Sequence, residues 1–254
     1  MSKLYRLLPL LLLLSCGKSK EPATLTLLSY NVGVFSKYED DTTPQVADVI
    51  RSSGATLVAL NELDSCNRRH ATFQLKELAK TLGDWPFQFA SAFPYAGGAY
   101  GNGVVSRDKV ISRYRVHLPK SDGSEPRSVA VVETDRCVFA SVHLDYVGDN
   151  SQRDQVQALN EWFKSVYGGA RKPVFLCGDF NAEPDSETIR LMRYGWTQLS
   201  GEDFTYSTKS PRKCIDYVFA YKDAAPVEVI STEVLTAGTE TLSDHFPVKV
   251  VVKF

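Results

Sequence analysis

Polar residues that can bind a divalent cation or transfer a proton stand at the ends of several apolar, strand-like runs of this sequence. Each alone can be explained as a turn former, a cap or a buried histidine, because Asn and Asp are favoured at turns for local reasons. Their repetition favours a shared site, since strand ends can converge at one rim of a layered fold. These residues are Asn31 after LLSY, Glu62 after LVALN, His143 after FASV, Asp179 and Asn181 after VFLC, Asp216 within CIDYVF, and Asp244 with His245 before the final run.

Oxygen-bearing side chains dominate this set, which indicates a hard divalent cation. We expect Mg²⁺, with Mn²⁺ or Ca²⁺ as alternatives, and the absence of a Cys/His cluster disfavours structural zinc. Glu62 is the best single candidate ligand, because Mg²⁺ keeps several of its waters and takes few carboxylates from the protein.

The same set contains the groups that hydrolysis of a phosphate ester requires. Such a reaction needs a positioned water, a base that takes its proton, and donors for the charge that develops on the phosphoryl oxygens. Asp179 is the candidate base and Asn181 can hold the water. His143 and His245 are the candidate donors, and Asp216 is a candidate partner that fixes the tautomer and favours the charged form of His245.

The elements that must position these residues follow from the apolar periodicity. Helical spacing predicts helices over 44–53, 73–82, 151–167 and 185–194, the last capped by Asp185 or Ser186. Strand-like runs cover 24–32, 56–63, several short segments between 86 and 143, the run before Asp179, and the last third of the chain. Helices placed among both isolated strands and hairpins predict mixed sheets in a layered α/β sandwich. The aromatic, glycine-rich stretch at 92–103 is expected to be a loop that packs on its own core or walls a pocket.

In order and spacing, the polar motifs resemble those of the endonuclease/exonuclease/phosphatase superfamily, which includes pancreatic deoxyribonuclease, abasic-site endonucleases, neutral sphingomyelinases and inositol-polyphosphate 5-phosphatases. The resemblance covers nearly all of the chain after the N-terminal segment, and GDFN with SDHFPV is its most specific part. It implies a four-layer sandwich of two mixed β-sheets flanked by helices, and in-line attack of water on phosphorus near a divalent metal. The implied metal-site residues are Asn31, Glu62 and Asp244, and the implied catalytic residues are His143, Asp179, Asn181, Asp216 and His245.

Three further positions bear on this resemblance. Asn102 in YGNGVVSR and Arg127 in EPRSVAVVE are similar to residues of the secreted bacterial branch and are candidate substrate-binding residues, although a turn Asn and a surface Arg explain them equally well. Asn61 stands where the family usually has Gln before the metal-binding Glu. This replacement leaves the ligand intact but can alter the support of the site.

The N-terminal segment predicts export and lipid anchoring. Lys3 and Arg6 precede an apolar run that is too short to span a bilayer but suits a secretory signal, and LLSCG resembles a lipobox that makes Cys16 the lipidated N-terminus. The predicted organisation is a signal peptide at 1–15, a tether at 16–23 and a catalytic domain at 24–254. We therefore expect a membrane-anchored protein in the periplasm or at the cell surface, although a plain secretory signal with an incidental Cys is the alternative.

Composition narrows the choice of substrate. Removal of the signal would take away two of the 29 basic residues and none of the 30 acidic ones, which leaves a balance of −3. A protein that neutralises many phosphates usually carries a basic surplus, so nucleic acid is a possible but disfavoured partner. The leading hypothesis is a monomeric, exported, metal-dependent phosphoesterase. A non-specific nuclease is the alternative within enzymes, and a binding lipoprotein without catalysis is the alternative outside them.

Overall fold

Two six-stranded sheets lie face to face in the computed structural model, which describes residues 23–121 and 123–254. The predicted signal peptide, Cys16 and nearly all of the tether lie outside the described residues. In spatial order the first sheet consists of β11 (Glu228–Val234), β12 (Val248–Lys253), β1 (Thr24–Asn31), β2 (Leu57–Ser65), β4 (Gly98–Ser106) and β3 (Phe87–Tyr95). The second consists of β5 (Val110–His117), β6 (Ser128–Thr134), β7 (Val138–His143), β8 (Val174–Asp179), β10 (Asp216–Tyr221) and β9 (Trp196–Gln198).

Both sheets are mixed, as the sequence predicts. The pairs β1–β2 and β7–β8 are parallel, and the other neighbours are antiparallel. Helices connect the members of both parallel pairs, because a parallel pair needs a crossover that returns the chain to the same edge. The carboxyl ends of these four strands carry much of the predicted site.

Helices cover the outer face of each sheet. The first sheet packs on α1 (Thr43–Ser53) and α2 (Gln74–Thr81), and the second packs on α3 (Asp149–Tyr167) and α4 (Glu187–Gly195). These bounds agree with the four predicted helices to within two residues at each end, and the Ser186 hydroxyl accepts a hydrogen bond from the Ile189 N–H at the start of α4. The structure thus confirms the four-layer sandwich.

The aromatic stretch at 92–103 corrects one prediction. It is not a loop but the tip and arms of the β3–β4 hairpin, whose strands pair from Phe87 to Tyr95 and from Gly98 to Ser106. The run could not be recognised as a strand because Gly and Pro interrupt its alternation. Strand β9 was also missed, because it has only three residues.

Two further properties concern the described residues alone. Among them, no helix is long and apolar enough to cross a membrane. Cys66, Cys137, Cys177 and Cys214 are free thiols, and Cys177 is buried in the core as its apolar surroundings predict.

Candidate active site

The candidate site is the open end of the core that lies between the two sheets. Side chains alternate between the faces of a strand, so residues two apart share a face. Leu25 and Leu27 pack between the sheets, and Asn31 continues the same face of β1. Phe175 and Cys177 likewise lead to Asp179 on β8. The apolar core therefore turns polar at one rim, where strands of both sheets end.

Glu62 reaches this rim only because β2 is irregular there. By alternation Asn61, not Glu62, shares the face of the inter-sheet residues Leu57 and Ala59. The pairing of β2 with β4 shifts register between Leu60 and Leu63, and Glu62 adopts a left-handed backbone conformation with φ of 57°. A bulge of this kind redirects a side chain, and a non-glycine residue in this region costs about 1–3 kcal/mol. The strain is located at the residue that the sequence marks as the metal ligand.

Asp179 is held at the centre of the site by the backbone of β8 and the turn after it. The Asn181 N–H donates to Asp179 Oδ1 at 2.8 Å, and Phe180 between them turns into the outer core. Asn181 has φ of 48°, a conformation that Asn tolerates better than most residues. Gly178 has φ of 146°, and a Cβ there would overlap the Val142 carbonyl oxygen on β7. The glycine of the GDFN motif thus lets β7 and β8 approach closely.

Burial sets the proton affinity of Asp179. Loss of solvation and the charge of Asp216 raise the pKa of Asp179 to about 7, although His245 and hydrogen bonds from Asn181 and Asn31 oppose this shift. A base works best when its pKa lies near the working pH, so Asp179 is suited to take a proton from water.

His245 is paired with a carboxylate and carries a proton at neutral pH. Its Nδ1 lies 2.8 Å from Asp216 Oδ2, which confirms the predicted partnership. Burial opposes the charged form, but the charges of Asp216 and Asp179 and the hydrogen bond to Asp216 raise the pKa of His245 to about 10. The ring of Tyr206 packs against the imidazole at a centroid distance of 4.8 Å. His245 can therefore donate a hydrogen bond from Nε2 into the cavity.

His143 is neutral, unlike His245. Its pKa is held well below the usual value, first by burial and then by the positive charges of Arg127 and His245. The His143 Nε2 lies 3.0 Å from Asn181 Nδ2 and 3.5 Å from Asp179 Oδ2. His143 Nδ1 is buried without a hydrogen-bond partner among the described residues. A neutral imidazole at this place can orient Asn181 but adds no charge.

Asn31 joins the two carboxylates of the site. Its Nδ2 donates to Glu62 Oε1 and to Asp179 Oδ2, both at 3.0 Å, and its Oδ1 accepts from the Gly33 N–H at 3.1 Å. In this orientation the amide nitrogen, and not the oxygen, faces the carboxylates. The Asn31 amide can therefore position Glu62 and Asp179 relative to each other, and its ligation of a metal stays a prediction.

Asn61, the departure from the family pattern, joins the two sheets behind the site. Its Oδ1 accepts from the Asp179 N–H at 3.1 Å, and its Nδ2 donates to Val142 O at 2.8 Å and to Ser141 Oγ at 3.3 Å. All these atoms are buried. The shorter Asn thus supports the strand that carries Asp179, in addition to preceding the metal ligand in sequence.

A cavity of about 800 Å³ opens over these residues. Its basic lining residues are Lys37, Arg127, Lys213 and the protonated His245. Its acidic lining residues are Glu62, Glu125, Asp149, Asp179, Glu183, Asp185 and Asp244. Acidic groups outnumber basic ones, so the cavity does not have the positive potential that attracts a polyanion.

The two candidate substrate-binding residues lie in different places. Arg127 lines the cavity although only 3% of it is exposed, its Nε has no hydrogen-bond partner among the described residues, and its guanidinium is 6.0 Å from the ring centroid of Tyr146. Asn102 is 2% exposed and donates to the Ser128 carbonyl, so it braces the strand next to Arg127. Arg127 has access to a ligand, whereas Asn102 does not line the cavity.

The donor set fits a divalent cation. Glu62 and Asp244 both line the cavity, and carboxylate oxygens are the ligands that Mg²⁺ prefers. Ligand atoms of Asp179, Asp216 and His245 also lie within 4.8 Å of one another. We regard that second group as better suited to proton transfer, because a protonated imidazole has no lone pair for a metal.

Sequence reasoning missed Lys37 and Tyr206, which line the cavity beside the predicted residues. Lys37 Nζ lies 2.7 Å from Asp244 Oδ2. Burial opposes the charge of Lys37, but the hydrogen bond and charge of Asp244, with a contribution from Glu62, raise its pKa. Lys37 follows Asn31 by six positions, and this closeness was the available signal.

The architecture is that of a deoxyribonuclease-like α/β sandwich with its polar rim at the strand ends. The chain belongs to the Endonuclease/Exonuclease/phosphatase family, whose model matches residues 28–245. This confirms the family resemblance. No curated protein matches the chain.

Solved structures show the same fold at low identity. An endonuclease/exonuclease/phosphatase from Beutenbergia cavernae is 22% identical, with a TM-score of 0.74, over 91% of this chain and 72% of that chain. A mannosyl-6-phosphatase from Bacteroides thetaiotaomicron is 19% identical, with a TM-score of 0.71, over 91% of this chain and 100% of that chain. ANGEL2, a 2′,3′-cyclic phosphatase, is 14% identical, with a TM-score of 0.71, over 91% of this chain and 95% of that chain.

Proposed function

We propose that this protein is a divalent-metal-dependent phosphoesterase that hydrolyses a phosphate monoester or diester of a small molecule. One observation carries the proposal. The Oδ2 atom of Asp179 lies 3.5 Å from His143 Nε2 and 3.6 Å from His245 Nε2, and the cavity above it also holds the Glu62 and Asp244 carboxylates. A base with a raised pKa, a charged donor and oxygen ligands thus face one space.

Each residue has a distinct role in this reaction. Asp179 takes the proton of the attacking water, and Asn181, held by the Leu144 carbonyl and His143, orients that water. Protonated His245 donates to a phosphoryl oxygen as negative charge develops there, and Asp216 keeps its imidazole charged and oriented.

A divalent metal would complete the proposed site. Glu62 and Asp244 would hold Mg²⁺ or Mn²⁺, which when bound polarises a phosphoryl oxygen as a Lewis acid. Asn31 keeps Glu62 and Asp179 in fixed relation, because one amide nitrogen binds both carboxylates. The negative charge of these carboxylates favours the binding of a cation.

Charge favours a small substrate over nucleic acid. The cavity has more acidic than basic lining residues, and the chain has no basic surplus. Two relatives of the same fold are called a mannosyl-6-phosphatase and a 2′,3′-cyclic phosphatase, so hydrolysis of phosphate esters is compatible with this fold. The nuclease alternative stays testable through salt dependence.

Export and lipid anchoring at Cys16 are part of the proposal and rest on the N-terminal sequence. The Lys3 and Arg6 charges, the apolar run and the LLSCG motif support them. Labelling with a radioactive or clickable fatty acid in a bacterial host should mark the wild type and not Cys16→Ser. Equal label in both would contradict the lipobox, and retention in the cytosol would contradict export.

Activity is best tested with a panel of substrates. Sugar phosphates, inositol phosphates, phospholipids, 2′,3′-cyclic nucleotides and DNA would be incubated with Mg²⁺ or Mn²⁺, beside matched samples with EDTA and the Asp179→Ala variant. We expect metal-dependent turnover of a small ester that falls about 10²- to 10⁴-fold in Asp179→Ala. Turnover that the variant or EDTA leaves unchanged would overturn the proposal. DNA cleavage with steep salt dependence would favour the nuclease instead.

A further inference from the structure

Lys37 places a positive charge at the carboxylates that the proposed function assigns to the metal. Its ammonium lies 2.7 Å from Asp244 Oδ2, and it lines the same cavity as Glu62. The side chain of Lys37 is 41% exposed, whereas that of Asp244 is 10% exposed. No step of the proposed reaction uses this lysine.

The backbone that carries Lys37 is held from the inside of the fold. The Gly33 N–H donates to Asn31 Oδ1 at 3.1 Å, and the Val34 carbonyl accepts from Gln74 Nε2 at 2.6 Å. Gly33 has φ of 52°, and a Cβ there would lie 3.2 Å from the Cβ of Lys37. The backbone just before Lys37 is therefore held in place against the end of β1.

The outer side of the same turn is held by a hydrogen-bonded chain of side chains. Ser36 Oγ lies 3.0 Å from His70 Nε2, and His70 Nδ1 lies 2.6 Å from Asp64 Oδ2. Asp64 is fully buried and follows Glu62 by two positions on β2. This chain ties the turn before Lys37 to the strand that carries Glu62. The lysine and the two carboxylates are thus parts of one braced arrangement.

We propose that Lys37 is the resident cation of the Glu62 and Asp244 carboxylates, and that a divalent cation must displace its ammonium from Asp244 in order to bind. The inference rests on the proposed function in that these carboxylates hold the metal. Carboxylates that line one cavity repel each other, and an ammonium ion paired with one of them lowers that repulsion. The same charge opposes the arrival of a second cation. Lys37 would thereby weaken metal binding, so that the site fills only at a higher metal concentration.

A lysine that only contacts the substrate phosphate would behave differently. Its removal would raise KM and leave the affinity for the metal alone unchanged. The two roles are therefore separated by a binding measurement that contains no substrate.

The test is titration of the full-length protein with Mn²⁺, followed by electron paramagnetic resonance of the free ion. Lys37→Met removes the charge, and Lys37→Arg retains it. Lys209→Met is the matched control, because Lys209 Nζ lies 3.9 Å over the Tyr38 ring and is not paired with Asp244. Glu62→Gln reports whether the titrated site is the proposed one.

We expect Lys37→Met to bind Mn²⁺ roughly tenfold more tightly than the wild type, as removal of one adjacent charge from a partly exposed site predicts. Lys37→Arg and Lys209→Met should stay near the wild-type affinity. Equal or weaker binding by Lys37→Met, with wild-type binding lost in Glu62→Gln, would overturn the role of Lys37 alone. Wild-type affinity in Glu62→Gln would overturn the metal site itself, and with it both proposals.

Discussion

The two sides of Asp179 place the same kind of side chain at almost the same distance, but one imidazole is neutral and the other is positively charged. His143 Nε2 and His245 Nε2 lie 3.5 and 3.6 Å from one carboxylate oxygen. The His245 side contains Asp216, which raises the pKa of His245 to about 10. His143 is as buried as His245, at 4% exposed each, but the charges near it are those of Arg127 and His245, and these add to burial in keeping the pKa of His143 well below its usual value.

The charge of an imidazole in this site is therefore set by its neighbours and not by its distance from Asp179. A histidine with a carboxylate behind it becomes a charged donor, whereas one in an apolar or positive environment stays neutral. The same site thus contains a charged imidazole that can donate to negative charge and a neutral imidazole that can orient an amide.

The largest effect is expected for Asp179→Asn, which removes the carboxylate that the two sides share. Activity should fall about 10²- to 10⁴-fold, because no base remains. The pKa of His245 should also fall, since Asp179 contributes to its raised value. Phosphate release and an NMR titration of His245 would measure both. A variant with full activity, or with an unchanged His245 pKa, would contradict the assigned coupling.

Folding of this variant provides its control. Burial raises the folded-state pKa of Asp179 to about 7, above its value in the unfolded chain. The stability that the protonated carboxyl provides is therefore lost as the pH rises from the unfolded-state pKa through about 7. At pH 8 the ionised Asp179 therefore disfavours the folded state, and neutral Asn removes this penalty. We expect the variant to melt at an equal or higher temperature, which would separate loss of chemistry from loss of fold.

The next effect compares the histidines directly. His245→Gln should reduce kcat about 10²- to 10³-fold, the size seen when one donor to developing negative charge is removed. His143→Gln should cost less, because glutamine can still bond to Asn181 and no charge is lost. Steady-state kinetics of both variants under the same conditions would measure the difference. Equal losses would show that the two sides do not differ in function.

The Asp216→Asn variant tests whether Asp216 causes the difference between the two histidines, and the pH dependence of activity is the measured quantity. Activity of the wild type should rise with pH through about 7 as Asp179 loses its proton, and fall through about 10 as His245 loses its proton. Asp216 raises both pKa values, so its neutralisation should move both limbs of the profile to lower pH. A profile of kcat/KM from pH 5 to 11 would measure the shift, and limbs that stay in place would contradict it.

The smallest effect is expected behind the site, where Asn61 supports Asp179 and the strand that carries His143. Asn61→Ala leaves the Asp179 N–H and the Val142 carbonyl without their partner and should lower the free energy of unfolding by about 1–3 kcal/mol. Asn102→Ala loses only the bond to the Ser128 carbonyl and should cost less. Urea denaturation of both variants would compare them, and a larger loss in Asn102→Ala would contradict the proposed support.

Much of the fold could be predicted because its signals are local. Apolar spacing located the four helices, and strand-like runs ending in Asp or Asn located β1 and β8. The stretch 92–103 within the β3–β4 hairpin was mistaken for a loop, because its glycines and proline hide the alternation while pairing with β2 maintains the strand. The bulge that turns Glu62 into the cavity is equally invisible, because it depends on the register of β2 against β4.

The sequence by itself determined which chemical groups the protein can bring to a site, because residue types and the ends of apolar runs can be recognised in the sequence. Only the tertiary structure decided which of them meet and in what charge state. Asn31 contacts Asp179 across 148 positions, and Lys37 meets Asp244 from the opposite end of the chain. Charge, burial and hydrogen bonding act through space, so the difference between His143 and His245 exists only once the two sheets have packed.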